Sequence, residues 1–77
     1  DKMNRDVEYQ ILNYIQMITY PAYNNSGRVR LMREFIRFLK PLLDCNYLND
    51  DEYNQRVNIT RNLCAAYGID FRKEVLK

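Results

Sequence analysis

Seventy-seven residues make one domain, and an apolar content of 47% is too high for a disordered chain. No apolar run approaches the roughly 18 residues that span a bilayer, and a formal net charge of +2 is too small to demand a nucleic-acid partner by itself. The absence of histidine removes the commonest general base and the commonest metal ligand.

A first helix is predicted over about Asn4 to Thr19. Val7, Ile11, Tyr14, Ile15 and Ile18 recur at helical spacing on one face, with Arg5, Tyr9, Asn13 and Gln16 on the other. Pro21 ends it, because the residue before a proline disfavours the α region. Pro21 to Gly27 reads as a loop of turn formers, flanked by Tyr20 and Tyr23, which are expected to fold back on the core.

The second helix is predicted to start with Ser26 as its N-cap and to run to about Asp44. Leu31, Met32, Phe35, Ile36, Phe38, Leu39, Leu42 and Leu43 fill so wide an apolar arc that this helix must be contacted from two sides. It is therefore expected at the centre of the domain. Pro41 falls on its polar side; either the helix kinks there with the proline facing solvent, or it stops at Lys40.

The third helix has the clearest start. Asn49 is the N-cap, Glu52 completes a capping box, and Leu48 and Tyr53 occupy the staple positions. Asp50 and Asp51 add negative charge to the positive helix end. Tyr53, Val57, Thr60, Cys64 and Tyr67 form a seam with Leu63 beside it, and Gly68 fits the left-handed position that ends the helix. A last short helix is expected from Phe71 to Leu76, capped by Asp70 and anchored by Phe71 and Leu76. The fold class is all-α: a small bundle of three main helices plus a short C-terminal one, over residues 1–77 as a single domain.

Cys45 and Cys64 do not form a disulfide framework. In an antiparallel hairpin they stand roughly 20 Å apart at 1.5 Å per residue, whereas a bridge needs Cα atoms within about 7 Å. Buried free thiols in a reducing cytoplasm are the expectation. A first residue Asp1, rather than methionine, is expected of a trimmed chain or of a segment of a longer one.

Arg28, Arg30, Arg33, Arg37 and Lys40 crowd one segment, with only Glu34 among them. Of these, Arg30, Arg33, Arg37 and Lys40 are spaced by three, four and three residues and share a helix face opposite the apolar arc. Such a row suits an acidic protein surface or a phosphate backbone, and equally a solvated face whose arginine stems cover apolar surface. A helix-turn-helix built on the second and third helices is disfavoured, since Asp50, Asp51 and Glu52 occupy the end that would meet DNA.

Seven tyrosines and three phenylalanines are many for this length. Tyr9, Tyr20 and Tyr23, with Arg5, are candidates for an interface patch, because tyrosine and arginine dominate binding hot spots; the alternative is that they rim a small core with their hydroxyls in water.

No chemistry-bearing constellation emerges. The acidic triplet lacks the glycine and alternating oxygens of a calcium loop. Ser26 has no base to activate it, and Gly27 alone makes no phosphate loop. No catalytic residue, cofactor or metal is expected. The expected function is that of a small regulatory or adaptor protein acting on a protein partner or on a second copy of itself, with nucleic-acid binding by the basic face as the alternative. The wealth of asparagine and tyrosine suits an AT-rich source such as a phage or mobile element, although arginine outnumbers lysine.

Overall fold

The computed structural model describes the backbone of residues 2–76 and the side chains of residues 5–76. Three α-helices follow one another, α1 (Lys2–Ile18), α2 (Asn25–Asp44) and α3 (Asp50–Tyr67), and a single turn of π-helix closes the chain at Phe71–Val75. Both α1 and α3 pack on α2, and the C-terminal turn packs on α2 and α3. The wide apolar arc of α2 therefore does place it at the centre. The fold is all-α, as the periodicity predicts.

The stripe on α2 that is fully covered is Arg28, Met32, Phe35 and Leu39, at steps of four, three and four residues. Ile11 and Ile18 of α1 and Cys64 of α3 complete the middle of the core, with Leu48, Ile69, Phe71 and Val75 closing its ends. On the α1 side, the Tyr14 ring packs 5.4 Å from Phe35 and 5.5 Å from Phe38. On the α3 side, the Cys64 thiol reaches Met32 Sδ at 3.3 Å.

The end of α1 and both ends of α2 and α3 find partners for their free backbone groups. At the end of α1, the Thr19 hydroxyl donates to the carbonyls of Ile15 (2.8 Å) and Gln16 (3.2 Å). The cap of α2 is Asn24, not Ser26: the Asn24 backbone is extended and its Oδ1 accepts from Gly27 N at 2.9 Å. Ser26 falls inside the first turn, too far along the helix to serve. The helix continues through Pro41, which is exposed, to Asp44, so the stop at Lys40 does not occur. Asn46 then takes a left-handed conformation (φ 63°), and the amides of Tyr47 and Leu48 both donate to Leu42 O.

The start of α3 is the predicted capping box. Asn49 Oδ1 accepts from Glu52 N at 2.8 Å, and Glu52 Oε1 accepts from Asn49 N at 3.0 Å. Its end is a left-handed Gly68 (φ 70°) with Ile69 N donating to Cys64 O and Gly68 N to Ala65 O, the paired pattern that satisfies the last carbonyls of a helix. Asp70 caps the C-terminal turn through Lys73 N. The anchors of that turn are Phe71 and Val75, both buried; Leu76, the expected second anchor, is half exposed. Val75 stands four residues after Phe71, about one turn on, and so shares its face, while Leu76 is carried past it.

Two further expectations are corrected. Cys45 is exposed, and only Cys64 is a buried thiol; both are free. Cys45 is the C-cap residue of α2, past the last helical residue Asp44, and lies open to solvent. Tyr20 and Tyr23 do not fold back on the core but stack on one another in the open. Among the described residues, no helix is long and apolar enough to cross a membrane.

Candidate interaction surfaces

The arginines of α2 divide into one structural and several open ones. Arg28 is buried. Its Nε donates to Ile18 O at 2.7 Å, its Nη2 to Tyr20 O at 2.9 Å and its Nη1 to Asn25 Oδ1 at 3.3 Å. Ile18 O ends α1, where carbonyl dipoles favour a cation, and Tyr20 O lies two residues beyond it. Asn25 Nδ2 in turn donates to Tyr67 O at 3.1 Å, tying the start of α2 to the end of α3. Arg28 thus stands apart from the basic row of Arg30, Arg33, Arg37 and Lys40, and the signal was available: it continues the buried Met32–Phe35–Leu39 stripe one turn toward the N-terminus.

Arg30, Arg33 and Arg37 line an open groove of about 600 Å³. Its other walls are Asn25, Ser26, Val29 and Glu34 of α2 and Glu74 of the C-terminal turn. Arg33 is half-buried, and its Nε donates to Glu74 O at 2.6 Å. This holds the guanidinium at the groove wall. Among the described residues, none of the three forms an ion pair, although Glu34 and Glu74 share the groove. Lys40, the fourth member of the row, lies outside the groove and pairs with Asp44 at 3.6 Å, both side chains well exposed. Such a pair contributes little to stability.

Opposite charge gathers at the other end of the molecule. The Arg56 guanidinium of α3 reaches Glu8 of α1 at 3.6 Å, which sets the starts of α1 and α3 side by side with the end of α2. Asp6, Glu8, Asp44, Asp50 and Asp51 are all exposed there. Tyr47 lies among them. Its desolvation, then the carboxylates Glu8 and Asp6 and the Cys45 thiol, raise the phenol above its ordinary pKa.

The tyrosine patch is a second surface, on the outer side of α1. Tyr20 and Tyr23 meet edge to face with ring centres 5.4 Å apart, and with Asn13, Gln16 and Met17 they frame a shallow hollow of about 260 Å³. Tyr9, at 70% exposure, and Arg5 do not line it. They continue the same helix face, Tyr9 standing about 10 Å from Gln16 along the axis at 1.5 Å per residue. Leu12, one turn from Tyr9, is also 53% exposed. It escaped the sequence reading because a lone leucine beside an apolar seam is usually covered by a neighbouring element, and here no element covers that side of α1. No family model, curated protein or solved structure matches the chain, so its function is read from these surfaces.

Proposed function

We propose that this chain is a small non-enzymatic regulatory or adaptor protein that acts by binding another protein through the outer face of α1. The observation that carries the reading is the exposure of Tyr9 and Leu12 on the outer side of α1 and of Tyr20 and Tyr23 in the loop that follows it, while α1 buries its other side. Rigid aromatic rings with a polar tip lose little conformational entropy on binding and recur as interface anchors. Among the described residues these side chains lie outside the core, which is filled from the other side of α1 by Ile11 and Ile18. The test is a photo-crosslinking residue placed at Asn13, in cells that express the protein. A discrete adduct that disappears in Tyr9→Ala/Tyr20→Ala, with helicity unchanged, is the expected result. An adduct pattern indifferent to both substitutions removes this face.

A second reading, nucleic-acid binding by α2, draws on the open arginines Arg30, Arg33 and Arg37. It requires an affinity that falls steeply with salt. Glu34 and Glu74, in the same groove, oppose it.

A further inference from the structure

The groove sets the three guanidinium groups of Arg30, Arg33 and Arg37 against the two carboxylates of Glu34 and Glu74, so one positive charge is left over and, among the described residues, none of the three arginines forms an ion pair. Arg30 and Arg37 are exposed and flank the anchored Arg33, and Asp50 and Asp51 stand exposed in the first turn of α3 at the other end of the bundle. Glu52 is already occupied with the Asn49 amide, and Lys40 and Arg56 account for Asp44 and Glu8. Among the described residues, Asp50 and Asp51 have no cationic partner. Arg30 and Asp44, both on α2, are about 21 Å apart along its axis at 1.5 Å per residue, beyond two Debye lengths of about 8 Å at physiological salt. Charges so placed cannot neutralise one another within one chain.

We propose that the groove is occupied by the acidic end of a second copy, the Asp50–Asp51 turn of one molecule seated against Arg30, Arg33 and Arg37 of the next. The occupant must carry mixed charge, because Glu34 and Glu74 line the groove beside the arginines. A uniform phosphate backbone meets those carboxylates with repulsion. At the acidic end Lys40 is held only by an exposed pair with Asp44, which contributes little, so it is free to exchange that partner for Glu34 or Glu74 of the neighbouring molecule. The contact joins two different patches, so it is heterologous and head to tail, and it leaves one groove and one acidic end free at the termini of every assembly. Growth by further copies follows, and because the contact is polar it weakens with salt. The proposal rests on reading the chain as an interaction module but uses a face distinct from that of α1.

Sedimentation velocity over a range of concentrations tests it. The wild-type protein is expected to form species larger than a monomer that grow with concentration at about 50 mM salt and return to monomer at about 500 mM. Arg30→Gln/Arg37→Gln and Asp50→Asn/Asp51→Asn are each expected to be monomeric alone, with unchanged helicity. An equimolar mixture of the two is expected to form a heterodimer that grows no further, since each variant supplies the one surface the other lacks. Tyr9→Ala/Tyr20→Ala is expected to assemble as the wild type does, which separates this contact from that of the α1 face. A wild-type monomer at every concentration in low salt overturns the proposal. So does assembly that survives the arginine substitutions, a mixture that stays monomeric, or duplex DNA bound by the groove in place of assembly.

Discussion

The Arg28 guanidinium carbon lies 3.9 Å from the centre of the Tyr67 ring, so a charge near the start of α2 is stacked on an aromatic near the end of α3. The same side chain donates to Ile18 O, the last carbonyl of α1, and to Tyr20 O just beyond it. One residue therefore joins all three helices at one end of the bundle. Arg28→Met keeps the apolar stem but strands the Ile18 and Tyr20 carbonyls, and is expected to cost about 2–3 kcal/mol in urea unfolding. Tyr67→Leu, which removes only the cation–π partner, is expected to cost about 1 kcal/mol. Equal stability of Arg28→Met and the wild type would contradict the joint described here.

The cap of α2 separates two neighbouring positions. Asn24→Ala removes the acceptor for Gly27 N and is expected to lower stability by about 1 kcal/mol, as Asn49→Ala does at α3. Ser26→Ala is expected to change it by less than about 0.5 kcal/mol, because Ser26 lies in the first turn and alanine is the better helix former. Thermal or urea unfolding of the three variants checks the order.

The two glycines should respond to alanine with opposite signs. At Gly68 the backbone is left-handed and a Cβ meets no neighbour, so the cost of Gly68→Ala is conformational alone, about 1 kcal/mol. Gly27 sits in the first turn of α2, and its added Cβ would stand 3.6 Å from Asn24 Oδ1, an ordinary contact. Gly27→Ala is expected to stabilise the protein by about 0.5–1 kcal/mol.

The cysteines should differ in reactivity. Cys45 is expected to react with a thiol reagent in the folded protein, and Cys64 only after unfolding. Burial, then the Glu74 and Asp70 carboxylates, raise the Cys64 thiol pKa above its ordinary value. The unfolded thiol ionises near pH 8.5, so above that pH the unfolded state holds fewer protons than the folded one. The Cys64 contribution is thus complete below about pH 8.5 and is lost as pH rises toward the folded-state pKa. Denaturant midpoints measured from pH 7 upward should fall, and Cys64→Ala should flatten that slope relative to its own value at pH 7.

What the sequence determined by itself was local. The number and order of helices, the Asn49–Glu52 box, the stop at Gly68, the seam of α3 and the buried face of α1 all depend on residues within about four positions of one another. Periodicity and capping act over that range.

What only the tertiary structure decided depends on residues far apart in the chain. The groove needs Glu74 beside Arg33, 41 residues away, and the α2–α3 joint needs Tyr67 O beside Asn25, 42 residues away. The spacing of Arg28 puts it in line with the buried stripe of α2, but its partners, Ile18 O, Tyr20 O and the Tyr67 ring, are supplied only when the ends of α1 and α3 converge on it. Tyr20 and Tyr23 read as core or rim, and Leu12 draws no notice, until the outer side of α1 is seen to be left uncovered among the described residues. A helix face is set by the local pattern, but whether that face is covered depends on how separate helices pack, and packing is a property of the assembled chain.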